Sequence, residues 1–180
     1  MKLIIALFIL ITSFGCAGNG KNTDDVSFYD GDDSIMVAKG YSIVPLQKTR
    51  TEHITATFKV NGKPCIFLVD TGGGATFIDF SQKDKYSLAE KGKRNYAAGV
   101  GAVTSLIETS AIIEINGLEL KDEELFLMDI SHINAEFIKN KVRPVDGVLG
   151  TDFLERHKSI IDYPHSKLYL VIMPDGENQM

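Results

Sequence analysis

The sequence contains only two cysteines, Cys16 and Cys65, among its 180 residues. If Cys16 is removed or acylated during export, the remaining thiol has no partner for an internal disulfide. Cys65 follows Pro64, and no histidine stands at a recognisable spacing to activate it. We therefore interpret Cys65 as a small strand residue and not as a nucleophile.

Basic clusters and metal-binding patterns are also lacking. The formal net charge is −5, with 19 Lys and Arg against 24 Asp and Glu. Because nucleic-acid binding depends on neutralising phosphates, this balance argues against a nucleic-acid partner. The histidines show no His-Glu-x-x-His or similar spacing, so we expect no metal and no cofactor.

The N-terminus has the pattern of an export signal. Lys2 precedes an apolar stretch at residues 3–11, which is too short to span a bilayer but suits the core of a signal peptide. We predict a signal peptide at residues 1–15. The protein is then exported to the cell envelope.

Ser13-Phe14-Gly15-Cys16 resembles a bacterial lipobox, although Ser13 and Phe14 depart from its usual residues. This resemblance implies lipid attachment at Cys16 and anchoring to a bacterial membrane. The alternative is ordinary secretory cleavage, which gives a secreted or periplasmic soluble protein. We favour lipidation because Cys16 stands where the apolar core ends. Residues 16–34 are rich in Gly, Asn and Asp and are predicted to form a flexible tether, and residues 35–175 form one domain.

This domain is predicted to be mostly β. Residues 54–60 alternate apolar and polar side chains and lead into Asn61-Gly62, a hairpin-turn signal. Residues 111–115, Asn116-Gly117 and residues 118–128 repeat the layout, which suggests an internal quasi-repeat. One short helix is predicted at residues 152–157, and Thr151 is predicted to be its N-cap. Residues 130–139 fit either a second short helix or a loop.

Many short strands with regular turn signals describe an all-β fold, a small closed or nearly closed barrel with one short C-terminal helix. One strand of this barrel carries the most informative feature of the sequence. An unbroken apolar run at residues 66–69 predicts a buried strand, and it ends in Asp70, Thr71 and Gly72. A local Asx turn is the simplest interpretation of such a triplet. However, a second apolar segment follows the small residues 73–75.

The triplet and a later Val148-Leu149-Gly150 together resemble the retropepsin-like aspartic proteases of bacteria, over residues 41–173. The resemblance implies an acid-protease barrel in which two aspartates share one proton and activate water against a peptide bond. Since the chain has a single Asp-Thr-Gly, the second carboxylate must come from another copy, and activity requires a homodimer.

The resemblance assigns further roles. Thr71 would hold the two active-site loops together and Gly72 would let them approach, while Val148, Leu149 and Gly150 would support Asp70 from beneath. Gly99 and Gly101 are candidates for the tip of a flap over the substrate, with Val100 as a residue that faces the substrate, and an ordinary hairpin turn is the equal alternative. Gly73-Gly74 departs from the family pattern by lacking a hydroxyl.

Two functions follow from the sequence. The first is an aspartic endopeptidase that acts on peptides or proteins of the cell envelope. The alternative is a non-catalytic lipoprotein that keeps the retropepsin fold for binding or scaffolding. We favour the enzyme because Asp70, Thr71 and Gly72 are all present.

Overall fold

The computed structural model describes residues 32–92, 94–99 and 102–172, with the backbone alone for residues 94–99 and 102–105. The predicted signal peptide, the lipid attachment at Cys16 and most of the tether therefore lie outside the described residues. Within these ranges, no helix has the length and apolar composition needed to cross a membrane.

The described chain forms eleven strands and three α-helices. The strands are β1 (Tyr41–Pro45), β2 (Gln47–Lys48), β3 (Ile54–Val60), β4 (Lys63–Val69), β5 (Phe77–Asp79), β6 (Arg94–Gly99), β7 (Ala102–Ile115), β8 (Leu118–Met128), β9 (Gly147–Leu149), β10 (Ile160–Asp162) and β11 (Lys167–Val171). The helices are α1 (Asp33–Ala38), α2 (Ser131–Lys139) and α3 (Thr151–Arg156), and a short 3₁₀ helix covers Phe80–Gln82.

Six strands close into a barrel in the order β3-β4-β9-β5-β8-β7, and β7 pairs back onto β3 through Val60 and Ile113. A second sheet has the order β1-β11-β10. The predicted all-β barrel with a short C-terminal helix is thus confirmed. Helix α2 resolves the ambiguity at residues 130–139 in favour of a helix.

Both Asn-Gly pairs form the tight turns that the sequence predicts. The φ angles are 47° and 77° at Asn61 and Gly62, and 53° and 82° at Asn116 and Gly117. Positive φ at both central residues is the signature of a type I′ turn, whose twist matches that of paired strands. The Asn61 side chain also accepts a hydrogen bond from the Ile112 amide at 2.8 Å, so the first turn is fastened to β7.

The two hairpins are interlocked by the strands that follow them. Strand β5 follows the β3–β4 hairpin but pairs in parallel with β8, and β9 follows the β7–β8 hairpin but pairs in parallel with β4. Strands β5 and β9 pair with each other in the antiparallel sense. Each half of the quasi-repeat therefore completes the sheet of the other half.

Buried apolar side chains form two clusters. The larger one joins the barrel strands to β1, β11 and α3 and contains Phe58, Phe67 and Phe153. The smaller one lies where α2 covers the sheet and contains Leu68, Phe77, Ile130, Phe137, Val145 and Val148. Strand β4 contributes to both clusters because successive side chains of a strand point to opposite faces.

Two predicted boundaries differ from the structure. Asp33 and Ser34, which the sequence places in the tether, begin α1, because the Asp32 carboxylate caps that helix through the Ser34 amide at 2.8 Å. Thr151 is not the cap of α3. It is the first helical residue, Gly150 holds the N-cap position, and no side chain caps the helix. The Thr151 hydroxyl instead donates to the carbonyl oxygen of Gly73 at 3.1 Å.

Asp146 connects the loop before β9 to β4. Its carboxylate accepts a hydrogen bond from the Ile66 amide at 2.9 Å and another from the Lys85 ammonium at 2.6 Å. The Asp146 side chain is 16% exposed, whereas that of Lys85 is 43% exposed. The bond to the backbone of β4 is therefore the more sheltered of the two.

We expect Asp146→Ala to lower the free energy of unfolding by about 2 kcal/mol, because the Ile66 amide loses its acceptor. The control Lys85→Met should cost less than about 1 kcal/mol, since an exposed ion pair contributes little. Urea denaturation at equal protein concentration measures both. Equal losses in the two variants would show that the ion pair, and not the backbone bond, matters.

Candidate active site

Asp70 lies at the end of β4, where the parallel ladder to β9 continues for one more bond. Its amide donates to the carbonyl oxygen of Leu149 at 3.0 Å, and the residue itself is exposed. By strand alternation Asp70 shares a face of the sheet with Leu68 and Ile66. Packing of β4 thus fixes the backbone of Asp70 while its carboxylate stays open to solvent.

The loop after Asp70 bends around the carboxylate. The Gly72 amide donates to Oδ1 of Asp70 at 2.9 Å, which is an Asx-turn bond, so the simple interpretation of the triplet is correct for its local geometry. A Cβ on Gly73 would stand 3.2 Å from Oδ2. In the described part of the chain Oδ2 accepts no hydrogen bond, and the residue as a whole is exposed. The turn therefore orients the carboxylate through Oδ1 and leaves Oδ2 without a hydrogen bond.

The segment predicted to support Asp70 lies directly beside it. Val148 and Leu149 pair in register with Leu68 and Val69. A Cβ on Gly150 would stand 2.4 Å from the carbonyl oxygen of Ala75, much closer than any real contact. Only glycine therefore lets the loop after Asp70 cross this point.

Thr76, Asp152 and Thr151 hold this crossing together, a role that the sequence did not assign to any of them. Thr76 is 1% exposed; its hydroxyl donates to the Asp152 carboxylate at 2.6 Å and accepts from the Gly150 amide at 2.9 Å. The Thr151 amide donates to the Gly73 carbonyl oxygen at 2.8 Å. The sequence shows Thr76 as a threonine after a glycine-rich loop and Asp152 as an acid near the start of a helix. Neither pattern indicates that the two side chains form a hydrogen bond with each other.

Thr71 takes no part in these hydrogen bonds. In the described part of the chain its hydroxyl makes no hydrogen bond. It borders a surface pocket of about 290 Å³ lined by Thr71, Thr151, Leu154, Glu155, Lys158, Ser159 and Ile161. The pocket joins the Asp70 loop to α3 and to β10, the outer strand of the second sheet.

The predicted flap falls on a hairpin. Strands β6 and β7 pair in the antiparallel sense, and Gly99 stands opposite Ala102 at its end. Val100 and Gly101, the other two candidates for the flap tip, lie outside the described residues.

Cys65 is buried, and burial raises the pKa of its thiol well above the ordinary value. A protonated, inaccessible thiol is a poor nucleophile. Among the described residues, no three His, Cys, Asp or Glu side chains converge as the ligands of a metal ion would.

Comparison with known proteins identifies the family of the chain. Residues 56–153 match the family model described as aspartyl protease, so the chain belongs to the aspartyl protease family. The match includes Asp70 and its supporting segment, and it ends at Phe153 in α3. No curated protein matches the chain.

The chain is also similar to several solved structures. A retropepsin-like aspartic protease from Rickettsia conorii is 22% identical, with 73% of this chain and 90% of that one covered and a TM-score of 0.48. The retroviral protease-like domain of Ddi1 from Leishmania major is 16% identical, with coverages of 68% and 95% and a TM-score of 0.47. The EIAV protease in complex with an inhibitor is 22% identical, with coverages of 56% and 84% and a TM-score of 0.40.

Gly150→Ala should destabilise the protein by about 3 kcal/mol or more, because the new methyl group meets the Ala75 backbone, which has little freedom to move. Gly74→Ala is the matched control. A Cβ there meets nothing within 4 Å, and we expect a change within about 0.5 kcal/mol. Thermal and urea unfolding of both variants test this difference, and a mild effect at Gly150 would contradict the close crossing.

Thr76→Val keeps the shape of the side chain but removes the donor to Asp152 and the acceptor for the Gly150 amide. We expect a loss of about 2 kcal/mol in the free energy of unfolding. Thr57→Val on the exposed face of β3 is the control and should leave stability nearly unchanged. If the two valine variants unfold alike, the buried hydroxyl is not part of the support for Asp70.

Proposed function

We propose that the protein is a homodimeric aspartic endopeptidase that hydrolyses peptide bonds with water activated between two Asp70 carboxylates. The observation that carries this proposal is the position of Asp70. The residue is fixed by the β4–β9 ladder, yet its side chain is exposed and Oδ2 is free of hydrogen bonds in the described part of the chain. Membership in the aspartyl protease family supports the same role.

The reaction follows from two carboxyl groups that share one proton. Two adjacent carboxylates repel each other, so one stays protonated, and the aspartic-protease dyad is itself the standard example of this coupling. The ionised Asp70 takes a proton from water as the water oxygen attacks the carbonyl carbon. The protonated Asp70 of the other copy donates to the carbonyl oxygen. Cleavage of the C–N bond then returns a proton to the leaving amine, and no cofactor is required.

The surface beside Asp70 supports a dimer. Strand β10 is the outer strand of the β1-β11-β10 sheet, and among the described residues its outer edge pairs with no other strand. Ile161 of β10 borders the same pocket as Thr71. A two-fold axis next to Asp70 would thus bring an open strand edge and the unbonded Thr71 hydroxyl toward their equivalents.

The location of the enzyme is proposed from the sequence. A signal peptide at residues 1–15 and a lipid on Cys16 would place the domain at the cell envelope, tethered to a membrane. Tethering raises the local concentration of the chains, which favours a weak dimer. The substrates would then be peptides or proteins of the envelope.

Asp70→Asn should lower peptide cleavage at least about a hundredfold, because it removes the group that accepts the proton of water. The assay incubates the purified full-length chain with a mixed peptide pool from acidic to neutral pH and follows products by mass spectrometry. Asp84→Asn changes an exposed aspartate elsewhere and should keep full activity. Cleavage that persists in Asp70→Asn would refute the mechanism.

The dimer is tested by mixing. Excess Asp70→Asn chain added to wild type should lower the activity per wild-type chain, since mixed dimers hold only one native carboxyl group. Molecular mass across a concentration series identifies the dimer directly. If a dimeric wild-type sample cleaves nothing, the proposal fails, and a binding or scaffolding role remains.

A further inference from the structure

A basic pocket lies where the segment after α2 meets strands β2, β3 and β4. It has a volume of about 280 Å³ and is lined by Gln47, Lys48, Thr49, Arg50, Thr55, Ile66, Lys141, Val142 and Arg143. Four of these nine residues are cationic and none is acidic. In a chain with a net charge of −5, this is a pronounced local excess of positive charge.

The cations of the pocket are largely uncompensated. Lys48 forms an ion pair with Glu52 at the rim. Arg50, Lys141 and Arg143 are exposed, and within the described ranges none of the three forms an ion pair or a side-chain hydrogen bond. Like charges held near one another repel. An anionic ligand would relieve this repulsion.

The walls of the pocket are fixed by the fold. Lys141 has a φ of 56°, and the amide of Val142 donates to the Phe137 carbonyl oxygen at 2.8 Å, so the chain turns sharply after α2. Val142 packs against the smaller apolar cluster. Arg143 therefore stands on an anchored segment, and it lines the pocket together with Arg50 of the segment that follows β2.

The pocket is related to Asp70 through β4. Ile66 lines the pocket, and strand alternation places it on the same face as Asp70, four residues away. At about 3.3 Å per residue, this separation is about 13 Å. Because Leu68, which lies between them on that face, is covered by α2, a peptide that reaches from Asp70 to the pocket has to pass beside the helix, and it needs about four extended residues to do so.

We propose that this pocket recognises acidic side chains of the peptide substrate, about four residues from the bond that is cut. This inference rests on the proposed peptidase function. Guanidinium groups bind carboxylates with paired hydrogen bonds, which Arg50 and Arg143 can supply. Strand β2 is the edge of its sheet, unpaired on its outer side in the described chain, so the backbone of an extended peptide can lie along it.

Binding is measured without cleavage in the full-length Asp70→Asn chain. The probe is fluorescein-(Glu-Ala)₃-amide, with the dye on the N-terminal amine, and its neutral counterpart is fluorescein-(Gln-Ala)₃-amide; fluorescence anisotropy gives each dissociation constant. We expect the acidic peptide to bind more tightly, with a preference that falls as salt is raised. Arg50→Gln combined with Arg143→Gln should weaken its binding about tenfold.

The matched control is Lys39→Gln combined with Lys121→Gln, which removes the same charge from exposed positions outside the pocket. It should leave binding nearly unchanged. Equal weakening by the two double variants would show a general charge effect and overturn the proposal. Binding of inorganic pyrophosphate without binding of the acidic peptide would also overturn it, in favour of a phosphate site.

Cleavage specificity gives the second test. Wild type incubated with a mixed peptide pool should cut where Asp or Glu stands about three to five residues from the scissile bond. The Arg50→Gln, Arg143→Gln double variant should lose this enrichment. Cleavage without any acidic preference would refute the proposed role of the pocket, whereas the proposed peptidase function would stand. Tight binding of the acidic peptide without cleavage by wild type would refute the peptidase alone.

Discussion

The structure depends on one backbone crossing, in which the loop after Asp70 passes over the start of α3. At this point the Ala75 carbonyl oxygen occupies the space where any residue but glycine at position 150 would place its Cβ. The buried Thr76 hydroxyl then bonds both to Gly150 and to Asp152. Because these contacts are made by backbone and by buried polar groups, they leave little freedom to the loop that orients the Asp70 carboxylate.

The interlocked hairpins explain why the crossing exists. Asp70 directly follows strand β4 and Asp129 directly follows strand β8. Each carboxylate accepts a hydrogen bond from the amide two residues later, at 2.9 Å from Gly72 and at 2.8 Å from Ser131. The two ends then diverge. After Asp70 and Thr71 the chain continues as a loop of three consecutive glycines. After Asp129 the chain enters helix α2, which covers the sheet. The quasi-repeat thus contains two similar turns with exposed aspartates, of which the second leads directly into a helix.

The sequence predicted those features that local chemistry decides. The Asn-Gly turns require positive φ, the alternation of β3 requires one buried face, and the apolar run of β4 requires burial on both faces. The partnership of Thr76 with Asp152 was not predictable, since 76 residues separate them and each residue type has many local uses. The same holds for the basic pocket, whose cations come from two separate segments. The Thr151 cap was predicted wrongly because the hydroxyl bonds Gly73 instead.

Helix α2 determines which part of the Asp70 face is available to a ligand. Leu68 and Val148 lie on that face beside Asp70, but they are buried in the cluster that Phe137 of α2 completes. Their apolar surface is therefore buried in the core and is not available to the side chains of a ligand. Beyond the helix, the residues that remain open along β4 are those around Ile66, where the lining is cationic. Selectivity on this side of Asp70 is thus expected to depend on charge more than on apolar fit.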